Sequence, residues 1–199
     1  GGLYELRDYF DFADTPSLFE GSLSKDRQRA LKHGYYASIS MIDTHIGRLL
    51  QELKALQLEE ETIVVLWSDH GWKLGEHNGW CKQTNYEIDT RTPLIISVPG
   101  MTSAGQKCDA LTEFIDIYPT LCELAGLPLR EELEGKSFKA VLDNPEAVHK
   151  KAAISQFPRR DKSGNYMGYA MRTDRYRYIE WLDRNTAARE EVEHYDHDT

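Results

Sequence analysis

The chain has 199 residues, of which 40% are apolar and 29% are charged, and its formal net charge is -9. This composition is that of an ordinary globular protein rather than a disordered chain, and no apolar run reaches the length needed to cross a bilayer. The negative balance also disfavours a general nucleic-acid binder, because such proteins collect Lys and Arg against the phosphate backbone.

The first half of the sequence reads as a loop, a helix and two strands. Residues 1–24 show no sustained period, whereas apolar residues recur at helical spacing over residues 25–56 and predict a long amphipathic helix. The β-branched run 62–68 predicts a strand buried on both faces of a parallel sheet. A stretch without clear period follows, and residues 93–98 predict a second buried strand.

The second half begins with another helix. Asp116 is a suitable N-cap, and Gly126 with Pro128 beyond it is typical of a helix end. Helix, strand, loop, strand and helix in this order are typical of a doubly wound α/β layer. We therefore assign residues 1–151 to part of one α/β domain.

The last part of the chain has a different pattern. Residues 169–173 and 176–181 flank Asp174-Arg175 as the strands of a hairpin would, and alternate residues of the second run suit one buried face. We predict a small antiparallel α+β subdomain, incomplete in this chain, over residues 152–199.

The chain opens with Gly1-Gly2 and has no initiator Met and no signal-peptide pattern, so we expect it to be processed or cut from a longer polypeptide. Its cysteines, Cys81, Cys108 and Cys122, are too few for a disulfide framework, and none has zinc-ligand spacing.

Chemistry is concentrated where the first strand ends. Asp69 and His70 follow that strand directly, and open parallel sheets bind ligands beyond the carboxyl ends of their strands. Together they offer one carboxylate oxygen and one imidazole to a divalent cation or to a substrate oxygen. The alternative is structural: Asp69 caps a turn and His70 bonds a backbone carbonyl.

The loop that follows holds more polar and flexible residues than a connector needs. These are Trp72, Lys73, Gly75, Glu76, His77, Gly79 and Lys82. Lys82 is close enough in sequence to return to the same cleft and hold an anionic group. Its alternative is a solvated surface lysine.

The sequence of residues 68–77, with Lys82 and residues 90–95, resembles the second metal-binding motif of type I sulfatases, nearest to the iduronate-2-sulfatase group. Residues 34–43, 116–128 and 135–138 also follow that family's order, so that the resemblance covers nearly the whole chain. It implies an alkaline-phosphatase-like α/β/α sandwich.

The resemblance also implies roles for individual residues. Asp69 and His70 match the family's metal-site pair, with Asp69 as a Ca²⁺ ligand and His70 beside the metal and the sulfate. Lys82 matches the lysine that contacts the sulfate, and with His70 it is a predicted catalytic residue. Trp72 and His77 lie in the same motif block and are predicted to bind substrate. Arg91 also lies in this motif block. Its alternative role is to form an ion pair that stabilises the loop.

The family's nucleophile has no counterpart in this chain. It is a formylglycine made from a Cys or Ser in a Cys/Ser-x-Pro/Ala-x-Arg motif, and none of the cysteines lies in such a motif. The adjacent aspartates that complete the calcium site are absent too. We therefore expect the chain to be inactive alone, to bind Ca²⁺ poorly, and to need the missing N-terminal half as its partner.

By resemblance, the complete enzyme is a sulfuric ester hydrolase that acts on a sulfated sugar, such as a glycosaminoglycan or another polysaccharide. Choline sulfate and small aryl sulfates remain open as substrates. Two other functions remain open: a phosphodiesterase or phosphonate hydrolase of the same superfamily, and a non-catalytic module that binds sulfated glycan. The expected location is periplasmic or secreted, or lysosomal in a eukaryote.

Overall fold

The computed structural model describes residues 21–160 and 164–198, and the chain divides into two compact units, Gly1–Gly100 (unit 1) and Met101–Thr199 (unit 2). The predicted loop 1–24 lies mostly outside the described residues, and the predicted domain boundary near residue 151 stays a prediction. Within the described ranges, no helix has the length and apolar character of a membrane span.

From residue 21 onward, where its structure is described, unit 1 contains two helices and four strands in mixed order. They are α1 (Lys25–Ala55), β1 (Val64–Trp67), β2 (Lys73–Leu74), β3 (Trp80–Cys81), α2 (Glu87–Thr90) and β4 (Leu94–Ser97). Short 3₁₀ turns lie at Glu59–Glu61 and Glu76–Asn78.

The long helix that the sequence predicts is confirmed as α1. The side chain of Ser24 accepts a hydrogen bond from the Arg27 amide and caps the first turn. None of its residues is buried in the described structure, and its apolar face includes Ile42, 51% exposed, and Leu49, 69% exposed. Apolar surface of this extent is typical of a face that another part of a protein covers.

The prediction of two buried strands in a parallel sheet is wrong for this pair. β1 and β4 pair antiparallel, with Val64 opposite Ser97, and Trp67 and Ile95 are 48% and 58% exposed. Parallel neighbours need a crossover, usually a long helix, but the connection here holds only two-residue strands and the four-residue α2. This connection brings the chain back beside the end of β1, so β4 starts opposite Trp67 and runs antiparallel to β1.

That returning loop is folded around its own core. β2 and β3 pair antiparallel, and Trp80 and Cys81 on β3 are buried with Leu23, which precedes α1. Trp72 and Leu74 pack against this cluster. The stretch between β1 and β4, in which the sequence shows no clear period, therefore has its own strands and its own buried cluster.

Unit 2 begins with short helices and ends in a sheet. Its elements are α3 (Ile117–Leu124), α4 (Lys139–Asp143), β5 (Ala153–Arg160), β6 (Asn165–Arg172), β7 (Tyr176–Asp183) and β8 (Arg189–Asp196), with a 3₁₀ turn at Phe114–Asp116 before α3.

The helix after residue 116 is confirmed, and Asp116 lies at its N-cap position as predicted, but its side chain makes no capping hydrogen bond to the helix. The Asp116 side chain instead caps the preceding 3₁₀ turn, where it forms a capping box with Glu113. The Asp116 carboxylate is fully buried and makes longer-range bonds. At the other end Gly126 has φ 67°, and the Leu127 amide donates to the Cys122 carbonyl at 2.8 Å, which is the Schellman ending that the glycine predicts.

The predicted hairpin is confirmed as β6 and β7, and it lies in the middle of a four-stranded antiparallel sheet of order β5-β6-β7-β8. Alternate residues of β7 are buried, as predicted: Arg177, Ile179 and Trp181. The flanking strands β5 and β8 are additions that the sequence patterns do not indicate. The fold class is α/β with an antiparallel C-terminal sheet.

Candidate functional site

The site lies in unit 1, on the turn that follows β1. The Ser68 hydroxyl donates to the His70 carbonyl at 2.8 Å, and the Gly71 amide donates to the Asp89 carbonyl at 2.8 Å. A Cβ at Gly71 would lie 1.9 Å from the Ile88 carbonyl oxygen, so only glycine allows this approach. These contacts fix the backbone on both sides of Asp69 and His70.

His70 is held in one orientation and in one tautomer. Its Nδ1 lies 2.7 Å from the Gly71 carbonyl oxygen, which can only accept, so Nδ1 carries the hydrogen. The other ring nitrogen, Nε2, lies 3.0 Å from Lys82 Nζ. The ammonium of Lys82 donates to Nε2, and this contact requires a neutral imidazole.

Lys82 reaches His70 because of the tight backbone around it. It follows β3 directly, between Cys81 and Gln83, which have φ values of 65° and 74°. Two left-handed residues that flank a lysine are uncommon outside constrained turns. They turn the chain so that a half-buried lysine twelve positions from His70 meets its ring.

Asp69 completes the group and faces outward. Its Oδ1 lies 3.4 Å from His70 Nε2, and its side chain is 83% exposed. An exposed carboxylate suits a calcium ligand, but Ca²⁺ takes six to eight oxygen ligands. Among the described residues no group of three or more His, Cys, Asp or Glu side chains could hold a metal ion. The residues present therefore fit a part of a calcium site.

The structure brings Trp72 to this group but not His77. The Trp72 ring stacks between His70, at 6.0 Å between centroids, and Tyr35 of α1, at 6.1 Å. His77 has φ 53° and stacks on Tyr86 at 4.2 Å. Within the described ranges no hydrogen bond, ion pair or ring contact joins His77 to Asp69, His70 or Lys82. Its substrate role stays a prediction.

Arg91 has no ion-pair partner within residues 21–160 and 164–198, and its side chain is exposed. The alternative role as a loop-steadying ion pair therefore has no support in the described part of the chain. Its backbone amide donates to the Glu87 carbonyl at 2.8 Å and closes α2.

Sequence reasoning missed two supports of the site. Tyr35 backs Trp72, and Asp89 is buried on α2, where it accepts from Lys73 and from Thr84. A tyrosine in a helix and an acid in a polar segment carry no local signal of these contacts, because Trp72 is distant in sequence from Tyr35 and Lys73 from Asp89.

Comparison with known proteins gives matches along most of the chain. The family model described as "Sulfatase" matches residues 10–127, and the model described as "N-sulphoglucosamine sulphohydrolase, C-terminal" matches residues 75–199. Together they take in both units and the whole of the site.

Individual relatives agree with these models. Iduronate 2-sulfatase of Mus musculus is 32% identical over 81% of this chain and 40% of its own length. A solved enzyme in complex with its substrate D-glucosamine-2-N,6-O-disulfate is 32% identical with a TM-score of 0.71, over 82% of this chain and 33% of the other. Phosphonate monoester hydrolase of Silicibacter pomeroyi is 28% identical with a TM-score of 0.68, over 79% and 33%. The chain spans less than half the length of these relatives.

Proposed function

This chain belongs to the sulfatase family, and from that premise we propose that the whole protein hydrolyses a sulfate ester with Asp69, His70 and Lys82 in its active site. The observation that carries the proposal is the 3.0 Å contact between Lys82 Nζ and His70 Nε2, beside the exposed carboxylate of Asp69. Asp69 and His70 follow β1 and Lys82 follows β3, in the order of the family's motif.

Lys82 is the anion-binding group in this proposal. A lysine ammonium has three donors, and one of them is directed at His70. Two remain for sulfate oxygens, whose charge grows and spreads as the ester bond breaks. Fixed donors aimed at such charge are usually the largest contribution to catalysis.

His70 positions Lys82 on this account. Its Nε2 lone pair holds the Lys82 ammonium in place, so the lysine loses little further freedom when the anion arrives. Its Nδ1–H, bonded to the Gly71 carbonyl, keeps that lone pair directed into the site.

Calcium fits as the family's metal. When bound, it would supply positive charge beside the sulfate oxygens, and Asp69 would be one of its ligands, with His70 next to it. We propose that the other ligands and the formylglycine nucleophile come from the N-terminal half of the polypeptide, because the described residues supply too few oxygens. On this basis the present chain is inactive alone.

The proposed substrate is a sulfated sugar. A solved relative holds D-glucosamine-2-N,6-O-disulfate as its substrate, and another is named for the iduronate 2-sulfate it acts on. Trp72, beside His70, is only half-buried, and the exposed part of its ring is apolar surface against which a sugar ring can pack.

The phosphonate monoester hydrolase among the solved relatives makes that activity the second candidate. To separate the two, the whole protein with calcium is given a sulfated disaccharide and, separately, a phosphonate monoester, and released sulfate and alcohol are measured. We expect sulfate release, abolished when EDTA removes calcium, to exceed phosphonate cleavage. Faster phosphonate cleavage would contradict the proposal, and binding of the disaccharide without turnover would favour a glycan-binding module.

A further inference from the structure

A buried ion pair lies behind the site and takes no part in the chemistry proposed above. Lys73 Nζ donates to Asp89 Oδ2, and each side chain is only 2% exposed. Lys73 is on β2 and Asp89 is on α2, so the pair joins the two ends of the loop that carries the site. Both groups are already buried in this chain, so further polypeptide can only bury them more.

The pair reaches both catalytic segments. The backbone carbonyl of Asp89 accepts from the amide of Gly71 at 2.8 Å, next to His70. Its carboxylate accepts from the hydroxyl of Thr84, two residues beyond Lys82. One residue therefore ties the His70 segment and the Lys82 segment to a single point.

Close packing leaves this arrangement little freedom. The aliphatic stem of Lys73 lies over Gly79, where an added Cβ would be 2.8 Å from Lys73 Cε and 2.9 Å from Cδ. Lys73 is also paired in register with Cys81, the residue before Lys82. A displacement of the Lys73 backbone would therefore also displace Lys82.

Stability alone does not account for such a pair. Replacing a buried ion pair by apolar side chains of similar volume is often neutral or stabilising, because both charges lose their hydration. Here Asp89 Oδ1 is buried without a hydrogen-bond partner in the described residues, which adds to the cost. An arrangement that fixes three points of one loop at such a cost is suited to positioning.

We infer that the Lys73–Asp89 ion pair is a positioning element, which sets the 3.0 Å approach of Lys82 to His70. The inference rests on the proposed function for its effect on turnover. Its structural part does not depend on the reaction: the pair holds the His70 segment and the Lys82 segment together.

The test compares three variants of the whole protein: Lys73→Met, the double variant Lys73→Met with Asp89→Leu, and Lys54→Met as a control on exposed α1 surface. With 4-nitrophenyl sulfate or a sulfated disaccharide as substrate, we expect Lys73→Met to lower kcat by about a hundredfold, the loss typical of a 1 Å misplacement. KM should change much less, because the charge of Lys82 still attracts the anion. The control should match the wild type.

The double variant separates positioning from stability. We expect its unfolding midpoint to return to that of the wild type, since an apolar pair can replace a buried ion pair, while kcat stays low. Recovery of kcat together with the midpoint would overturn the inference. If either variant fails to fold, Thr84→Val, which removes only one hydroxyl from the cluster, should lower kcat at unchanged midpoint, and unchanged kcat would overturn it equally.

Amide hydrogen exchange keeps the two claims apart. In Lys73→Met the amide of Gly71 should exchange at least about tenfold faster than in the wild type, as expected when a buried local network opens. Unchanged exchange there would overturn the positioning role even if the protein is a sulfatase. Faster exchange in a protein without sulfatase activity would leave the positioning role standing and remove the proposed function.

Discussion

Asp116 is the residue whose replacement should most disturb unit 2. Its side chain is fully buried, and one carboxylate oxygen, Oδ1, accepts from the Lys136 amide at 2.9 Å and from Lys150 Nζ at 2.8 Å. The other, Oδ2, accepts from the Glu113 amide at 2.9 Å and faces His149 Nε2 at 3.2 Å. Burial raises the pKa of Asp116, but the bonds from Lys150, Lys136, Glu113 and His149 outweigh it, so the pKa lies below its usual value.

Asp116→Asn keeps the shape and removes this chemistry. The new NH₂ group donates instead of accepting, so two of the four donors lose their acceptor. Each unsatisfied buried donor costs about 1–3 kcal/mol, and breaking a buried ion pair costs about 3–5 kcal/mol. Two unsatisfied donors therefore cost about 2–6 kcal/mol and the broken ion pair about 3–5 kcal/mol. A loss of about 3 kcal/mol lies in both ranges and corresponds to about a hundredfold in the opening equilibrium.

Hydrogen exchange followed by mass spectrometry measures this directly in the whole protein. Peptides that contain residues 113–124 and 136–141 should lose protection by about a hundredfold in Asp116→Asn. Asp143→Asn is the matched control: its ion pair with Lys139 lies at the surface, with the carboxylate 64% exposed, and such pairs contribute little to stability. If the two variants exchange alike, the buried network does not hold unit 2 together.

Two further predictions concern other parts of the chain. Trp72→Ala removes the ring beside His70 and should raise KM for a sulfated disaccharide more than KM for a small aryl sulfate in steady-state kinetics; equal effects would remove Trp72 from sugar binding. In the C-terminal sheet, hydrogen bonds from two residues to the Asp196 carboxylate lower its pKa from 3.8 to about 2. The larger effect comes from the Arg175 side chain and the smaller from the Asp198 amide. A carboxyl with a lowered folded pKa stabilises above its unfolded pKa and loses that effect as pH falls through the folded value, so protection of the His197 amide should decline between pH 4 and pH 2. Arg175→Met should abolish that pH dependence.

The sequence predicts what depends on local pattern. The period of apolar residues fixes α1, the glycine and proline after residue 125 fix the end of α3, and the alternation around residue 178 fixes the central hairpin. Asp69 and His70 are found from their place at a strand end, and Lys82 from its nearness in a polar loop. The approach of these three side chains agrees with that prediction, while their catalytic roles stay predictions.

What the sequence does not predict depends on distant partners. β4 runs antiparallel to β1 because of the path of the loop between them. The apolar pattern within each strand carries no information about that path. β5 contains Pro158, which is tolerated because the strand lies at the sheet edge, and β8 is rich in charge and largely exposed. The burial of Lys73 and Asp89 is hidden for the same reason, since both look like surface charges until paired.

The contribution of Lys82 to turnover is the most direct test of the account. Sulfate release from a sulfated disaccharide is measured for the whole protein with calcium, for Lys82→Ala, and for Lys107→Ala, an exposed lysine of unit 2. We expect Lys82→Ala to lower kcat by about a hundredfold or more, as loss of a group that stabilises the transition state does, and Lys107→Ala to match the wild type. An unchanged rate in Lys82→Ala would contradict the assignment of this loop as the sulfate-binding part of the active site.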